Sequence, residues 1–172
     1  MAFPSVKLTT LASLAHRLPA ACWLAQRLER LCSVEHNSTW FARVSQQLSE
    51  KGVGNVDYVY RPVSDERDAA QCDPYAGVAH EFADQSLDFV LVDGVCRSAC
   101  MLAVLPKLRP GGMLVLDNSQ RYLPSASRAP GARSPSAGPQ DDEWGRVSET
   151  LSRWRYVWTD TGLESTTIWF VV

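Results

Sequence analysis

The stretch LDFVLVDG, residues 87–94, decides the fold together with MLVLDNS, residues 113–119. Each stretch holds a near-continuous apolar run that ends in an aspartate, Asp93 in the first and Asp117 in the second. Apolar runs without alternation are typical of strands that are covered on both faces of a parallel sheet. The segment between them, VCRSACMLAVLPKLRPGG, has the length of one helix and closes with two glycines. The sequence therefore predicts a strand–helix–strand unit whose two strands point the same way.

Polar residues follow both of these strands. In open parallel sheets ligands bind beyond the carboxyl ends of the strands, which is where Asp93 and the pair Asp117-Asn118 fall. Aspartate-glycine and aspartate-asparagine pairs also form turns and helix caps without any further function. Because the two sets end neighbouring strands of one unit, we interpret them as the rim of a ligand site.

Composition narrows the class of protein. The chain has 172 residues, 45% of them apolar and 21% charged, with a formal charge of -2. These values predict one globular domain over residues 1–172. The sequence has no basic stripe of the kind that binds nucleic acid and no run of 18 apolar residues that would cross a membrane. We therefore expect a small-molecule ligand, no nucleic acid and no membrane, while the oligomeric state stays open.

The five cysteines form no CxxC pair, and the three histidines are scattered. This pattern predicts neither a zinc site nor a disulfide framework, and we expect a reducing, cytoplasmic compartment. Cys96 and Cys100 lie four residues apart on the predicted helix, where buried cysteines usually act as small hydrophobic residues. The amino terminus has a faint transit-peptide composition and lacks the apolar core of a secretion signal.

Along the chain, helical and strand patterns alternate. Residues 1–21 fit neither pattern well and form an atypical amino terminus. The further predicted elements are a helix from Ala20, a strand ending at Glu35, a helix over 37–51, a strand over 56–63, a helix over 75–82 and, after the central unit, a helix over 143–155 and a hairpin ending in TTIWFVV. Residues 120–142, rich in proline and serine, are predicted to form a mobile loop that is either a lid or a plain surface insertion. The order predicts an α/β fold with a mostly parallel sheet and a carboxyl-terminal antiparallel hairpin.

With these elements in order, the chain resembles class I S-adenosylmethionine-dependent methyltransferases, which have a Rossmann-like fold. The segments that carry the resemblance are WLAQRLERLCSVEHNSTWF (23–41), LDFVLVDG with Arg97 (87–97), LPKLRPGGMLVLDNS (105–119) and the closing hairpin with TTIWF. Together they cover most of residues 23–172 in the order and spacing of the family. The resemblance implies a methyltransferase that uses S-adenosylmethionine as cofactor and methylates a small-molecule acceptor, with oxygen as the expected nucleophile.

The resemblance also implies a cofactor side of the site. Glu35, at the end of its strand, corresponds to the acid that accepts hydrogen bonds from both ribose hydroxyls. A helix-capping role near the start of the next helix is the structural alternative for this glutamate. His36 corresponds to a residue near the adenosine edge, and Asp65 or Glu66 to an acid near the adenine, although a solvated polar loop explains these residues equally well.

On the acceptor side, Asp93 lies where the family brings cofactor and acceptor together, and a carboxylate there orients the acceptor or takes its proton. Arg97 either binds an anionic acceptor or pairs with Asp93. Asp93, Asp117 and Asn118 also resemble the oxygen ligands of metal-dependent catechol-type O-methyltransferases, a set that suits Mg²⁺. Because such a pair after a strand is a common turn, we expect no metal at these residues.

One departure from the family lies upstream. These enzymes begin with a strand and a glycine-rich turn that receives the cofactor. Here the corresponding segment reads LASLAHRLPAACWLAQ, without a glycine. The sequence therefore leaves open whether the first strand and its turn are present. Either the true amino terminus is missing or replaced, or the chain has lost the turn.

Three functions follow from these alternatives. The first is methyl transfer. The second is a catalytically inactive, methyltransferase-like interaction or regulatory module, as expected if the turn has been lost. The third, a nicotinamide-dependent oxidoreductase, would share the ribose-binding role of Glu35 but requires a GxGxxG motif that the sequence lacks.

Overall fold

A single seven-stranded sheet, in the order β3-β2-β1-β4-β5-β7-β6, forms the centre of the molecule. The computed structural model describes residues 9–13 and 18–172, with side chains described from residue 21 onward. The strands are β1 (Thr9–Ser13), β2 (Arg30–Glu35), β3 (Val56–Tyr60), β4 (Leu87–Val92), β5 (Leu108–Asp117), β6 (Arg155–Asp160) and β7 (Ser165–Phe170). The first five strands are parallel, and β7 pairs antiparallel with both β5 and β6. The predicted α/β fold with a carboxyl-terminal antiparallel hairpin is confirmed.

Five helices of the described chain connect these strands. They are α1 (Leu18–Ala25), α2 (Ser38–Glu50), α3 (Ala69–Ala76), α4 (Arg97–Val104) and α5 (Asp142–Leu151). A 3-10 helix at Gly77–Glu81 continues α3, so the helix predicted over 75–82 begins earlier, because the Asp68 side chain caps its amino end. The predicted strand over 56–63 ends at Tyr60.

The two faces of the sheet bury separate apolar clusters. On one face, Val90 and Val92 of β4 pack with Met101 of α4 and Val147 of α5. On the other face, Leu31 of β2 packs against the apolar side of α2. This arrangement explains the apolar runs of the central strands, whose successive side chains point to opposite faces and meet helices on each.

The first strand, which the glycine-free amino terminus left in question, is present. β1 lies between β2 and β4 and pairs in parallel with both. The segment in which the family has its glycine-rich turn includes residues 14–17, which lie outside the described residues, as do residues 1–8.

The proline-rich segment over 120–142 is packed onto the body of the protein. Arg133 holds it together, because its side chain donates hydrogen bonds to the Gly138 and Ala137 carbonyls at 2.7 and 3.2 Å. Leu123 and Ala129 are buried. The sequence predicted a mobile loop here because few residues of the segment are apolar. In the structure, backbone and arginine hydrogen bonds hold together a segment without a large apolar face. Its mobility stays a prediction.

Gly112 permits a close approach between β5 and β4. A Cβ atom at this position would lie 2.9 Å from the Arg109 carbonyl oxygen and 3.1 Å from that of Asp88. Here the pairing of β4 with β5 shifts register between Leu87 and Phe89. The two glycines predicted to end the preceding helix therefore lie inside β5, while α4 itself ends at Val104.

We expect Gly112→Ala to lower the free energy of unfolding by about 1–3 kcal/mol, because the added methyl group displaces strand backbone. For a chain of this length the melting temperature should fall by about 2–4 °C per kcal/mol. Thermal unfolding followed by circular dichroism measures the change.

Gly145→Ala is the matched control. Gly145 lies inside α5, and apart from its chain neighbours and the backbone of its own helix no atom lies within 4 Å of the position that an added methyl group would take. Because alanine favours helix by about 1 kcal/mol over glycine, this variant should unfold at the same or a higher temperature. Equal destabilisation by both variants would contradict the close-approach argument.

Candidate functional site

The carboxyl ends of four parallel strands meet at one edge of the sheet. Ser13 at the end of β1 is opposite Val34 on one side and Val92 on the other. Glu35 and Asp93 therefore flank the end of β1, and Asp117 ends the next strand beyond β4. With neighbouring strands ~4.8 Å apart, Glu35 and Asp93 lie roughly 10 Å from each other across the edge. The sequence-predicted residues of both sides thus belong to one continuous rim.

Glu35 is buried, with 2% of its side chain exposed. Its Oε1 atom accepts hydrogen bonds from the backbone N–H groups of His36 and Asn37, at 2.9 and 2.8 Å. Burial, and then the charge of Glu35 and a hydrogen bond to it, raise the pKa of Tyr58. Glu35 therefore fixes the turn from β2 into α2, in addition to any contact with a ligand.

His36 lies beside this carboxylate. Its Nδ1 atom is 3.3 Å from Glu35 Oε1, and its ring meets Tyr75 edge-on at a centroid distance of 6.3 Å. The side chain of Asn37 accepts the N–H of Trp40 and caps α2. His36 is thus held at the end of the rim that carries Glu35.

Asp65 lies in the exposed loop after β3. Its Oδ1 atom accepts the N–H of Arg67 at 3.0 Å, and its own N–H donates to Gln71 Oε1 at 3.1 Å. Glu66 beside it is also exposed. Because β3 is the outer strand, the loop flanks the Glu35 end of the rim.

Arg97 joins the ends of β4 and β5. Its Nε donates to the Gly94 carbonyl at 2.8 Å, and Nη1 donates to the Asp117 carbonyl. Nη2 donates to the Asp93 carbonyl at 3.2 Å and lies 3.5 Å from the Asp93 carboxylate. The guanidinium also lies 5.7 Å from the centre of the Tyr122 ring. Of the two predicted roles, pairing with Asp93 is the one these contacts support, because the donors are already occupied by the protein.

The side chains of Asp117 and Asn118 differ in whether they have hydrogen-bond partners. Asp117 Oδ1 accepts a hydrogen bond from the hydroxyl of Thr166 on β7 at 2.7 Å. Asn118 is 8% exposed, and its Nδ2 group has no hydrogen-bond partner among the described residues. A buried amide that donates to nothing costs free energy, so this N–H₂ group is suited to a ligand or an ordered water molecule.

Two non-glycine residues of this edge have left-handed backbones. Cys96, which precedes α4, and Asn118, which follows β5, both have φ of 52°. Such conformations are uncommon outside glycine, and they concentrate at functional sites. The loops after β4 and β5 are therefore held in specific conformations at this edge of the sheet.

Cys72 of α3 and Cys96 form a disulfide bond. The sequence-based prediction that the chain has no disulfide was wrong, because a spacing of 24 residues gives no local signal and only the packing of α3 on the β4–α4 loop brings the two thiols together. Cys96 also lies before α4 rather than within it. Cys100, a free and buried cysteine, fits the predicted hydrophobic role.

The oxygen ligands predicted at Asp93, Asp117 and Asn118 do not fit a divalent metal. The Asp93 carboxylate is paired with Arg97, and the Asp117 carboxylate is bonded to Thr166. Within the described ranges, no three histidine, cysteine or acidic side chains group together in a way that would hold a metal ion. Both carboxylates of the predicted ligand set are thus already engaged by other side chains of the protein.

Three features of the site were missed by the sequence analysis. They are the disulfide, the Thr166 partner of Asp117 and the Tyr58 partner of Glu35. Tyr58 and Thr166 lie on strands and are ordinary β-forming residues, so no sequence signal marks them.

None of the helices in the described part of the chain has the length and apolar character that a membrane crossing needs.

The fold matches solved methyltransferase structures closely in shape and weakly in sequence. An rRNA methylase from Streptococcus thermophilus superposes with a TM-score of 0.60 at 10% identity, over 96% of this chain and 87% of that one. A protein from Streptococcus mutans, described as a methyltransferase candidate and bound to S-adenosylhomocysteine, gives a TM-score of 0.63 at 8% identity, over 96% and 89%. A SAM-dependent methyltransferase from Aquifex aeolicus gives 0.54 at 11% identity, over 96% and 82%. The chain thus has the class I methyltransferase fold, as predicted. No protein-family model matches the sequence, and no curated protein matches it.

We expect Arg97→Met to lower the free energy of unfolding by about 3 kcal/mol. The change leaves carbonyls at the ends of two central strands without their charged donor. Urea unfolding at neutral pH measures the loss. Arg153→Met is the control, because the Arg153 side chain is exposed and makes no side-chain hydrogen bond with the described residues. Equal losses in the two variants would show that Arg97 does not hold the strand ends together.

Thiol labelling should distinguish the five cysteines. In denatured protein without reductant, iodoacetamide should modify only Cys22, Cys32 and Cys100, and the remaining two should react after reduction. Burial raises the pKa of Cys32 to about 11 and that of Cys100 to about 12. Since the thiolate is the reactive form, Cys100 in native protein at pH 8 should react at least about 100-fold more slowly than in denatured protein.

Mass spectrometry of the digested protein reads each site. Labelling of native Cys100 should accelerate only as the pH rises toward its raised pKa. Five modified cysteines in the unreduced, denatured sample would contradict the disulfide.

Proposed function

We propose that this protein transfers the methyl group of S-adenosylmethionine to a small-molecule acceptor, with an oxygen atom of the acceptor as nucleophile. The observation that carries the proposal is the position of Glu35, Asp93 and Asp117-Asn118 on one rim of a methyltransferase fold. Ligands of open α/β sheets bind at this edge.

The residues of the rim partly fit the cofactor. Glu35 is an acid at the end of β2, where the resemblance places the ribose of the cofactor. The buried Asn118 amide, which has no partner among the described residues, offers a hydrogen-bond donor to the acceptor. The fit is incomplete on the Glu35 side, because Oε1 already accepts two backbone N–H groups. We assign the ribose contact to the other oxygen, Oε2. When bound, S-adenosylmethionine supplies an electrophilic methyl group on a sulfonium.

Asp93 is the residue we assign to the acceptor. Its carboxylate is 17% exposed at the rim, and Arg97 fixes its position through the contact at 3.5 Å. A carboxylate there orients the acceptor hydroxyl and takes its proton as the oxygen attacks the methyl carbon. Asp117 is less suited to this role because its carboxylate already accepts a hydrogen bond from the Thr166 hydroxyl. Most of the rate enhancement then comes from alignment of the acceptor with the methyl group.

Charge supports a small acceptor. The formal charge of -2 provides no attraction for a phosphate backbone. One structural neighbour is an rRNA methylase, so RNA is the acceptor class to test against. The cytoplasmic location that the cysteine pattern predicted stays a proposal, and the disulfide between Cys72 and Cys96 argues against it.

A non-catalytic module is the second candidate, and two observations favour it. No glycine occurs before Gly52, so the usual glycine-rich turn is absent from the sequence given. Glu35 is also almost fully buried, with one carboxylate oxygen already occupied by its own turn. Such a module would keep the fold and bind a partner without binding the cofactor.

We expect S-adenosylhomocysteine, at about 100 times its Kd, to raise the melting temperature by about 5–10 °C. Glu35→Gln should weaken this binding by about tenfold or more, because it removes the carboxylate assigned to the ribose hydroxyls. Calorimetric titration measures the affinities. Glu50→Gln, a change at the exposed end of α2, is the control and should bind like the unmodified protein.

A correctly folded sample that shows neither heat of binding nor a thermal shift would exclude catalysis and favour the inactive module. If binding is present, transfer of a labelled methyl group to RNA but not to a mixture of small phenols and alcohols would contradict the proposed acceptor class. Asp93→Asn should then lower transfer with little effect on cofactor affinity.

A further inference from the structure

A groove lies between α5 and the carboxyl-terminal hairpin, away from the Glu35 end of the rim. Its volume is about 290 Å³. We call it the hairpin groove and define it by Trp169 and Thr167 of β7 in its floor, Tyr156 and Trp158 of β6 at its outer side, and Ser148 of α5 opposite them. The volume is close to the lower end of the range for small-molecule sites.

Strand alternation places the aromatic rings on one face. Tyr156 pairs with Trp169 and Trp158 with Thr167, so these four side chains share the face of the sheet that α5 covers. Trp169 is 5% exposed, whereas Tyr156 is 64% and Trp158 36% exposed. The groove therefore has a buried ring in its floor and two exposed rings at its side.

Hydroxyl groups supply the polar part of the lining. Ser119 and Thr167 hydrogen-bond each other at 2.7 Å, and Ser152 donates to the Glu149 carbonyl at 2.7 Å, which leaves lone pairs on these oxygens. The Ser148 hydroxyl makes no hydrogen bond with the described residues. These groups can donate to and accept from a ligand at several points.

Among the residues whose side chains are described, no charged one lines the groove. An ionised ligand would lose hydration there without gaining a counter-charge, which costs several kcal/mol. A neutral ligand loses much less, and flat rings stack favourably on tryptophan and tyrosine.

We infer that the hairpin groove binds a neutral aromatic compound bearing a hydroxyl or carbonyl group. The ring stacks on Trp158 and the floor, and the polar group meets the serine and threonine hydroxyls. Ser119, which lines the groove, follows Asn118 of the rim directly in the chain, so the groove lies next to the Asn118 end of the rim. The ligand is therefore either the methyl acceptor, which rests on the proposed function, or an effector that does not react.

Binding is tested with 2-naphthol and its charged analogue 2-naphthoate by ligand-observed NMR, without any cofactor. We expect 2-naphthol to bind and 2-naphthoate to bind about tenfold or more weakly. Trp158→Ala should weaken 2-naphthol binding about tenfold, and Ser148→Trp should fill the groove and abolish binding. Val157→Ala is the control, because Val157 lies on the same strand, 50% exposed, with its side chain on the opposite face.

Equal binding of 2-naphthol by the three variants, equal affinity for the two probes, or no binding of 2-naphthol would overturn the inference. If Ser148→Trp fails to fold, Trp158→Ala against Val157→Ala still decides. Adding S-adenosylmethionine then distinguishes a methyl acceptor from an effector that does not react. Formation of 2-methoxynaphthalene, detected by mass spectrometry, identifies an acceptor site, while retained binding without product identifies an effector site. Because binding is measured without cofactor, failure of the groove and failure of the proposed function are distinguishable.

Discussion

The hydrogen bonds from one guanidinium, that of Arg97, hold together the edge of the sheet on which the rest of the site depends. Parallel strands β4 and β5 end side by side. Arg97 donates to the carbonyls of Asp93 and Gly94, which follow β4, and to that of Asp117, which ends β5, and it also contacts the Asp93 carboxylate. It fixes the loops after both strands, so that Asp93 and Asn118 keep defined positions relative to each other. Arginine suits this position because its planar group carries five donors in a fixed geometry.

The parts of the fold that rest on strong local patterns could be predicted from the sequence. The apolar runs of β4 and β5, the end of β2 at Glu35 and the final hairpin each combine periodicity with a clear stop signal. The rim also followed from the sequence, since the parallel unit forces its strand ends to one edge. The disulfide, the partners Tyr58 and Thr166, and the packing of residues 120–142 could not be predicted. Each depends on contacts between residues far apart in the chain, which no local pattern encodes.

The site residues differ in how much of their bonding capacity the protein itself uses. Glu35 accepts hydrogen bonds from its own turn, and Asp117 accepts one from Thr166. Arg97 donates its hydrogen bonds to backbone carbonyls. Asn118 alone of the predicted set retains a buried donor without a partner among the described residues. A rim that is largely satisfied internally keeps its shape without a ligand, which favours a preorganised site. The same property would also let the fold persist after loss of cofactor binding, so stability of the rim does not separate an enzyme from an inactive relative.

The disulfide between Cys72 and Cys96 has a topological consequence. It closes a covalent ring over 24 residues that contains the whole of β4, while both strands that flank β4 lie outside the ring. A ring of this size lowers the conformational entropy of the unfolded chain, which stabilises the folded state by about 3 kcal/mol. In the oxidised chain, α3 and the loop that carries Asp93 remain within reach of each other before any strand has paired. When β1 and β5 pair with β4, they therefore pair with a strand that is already part of a closed covalent ring.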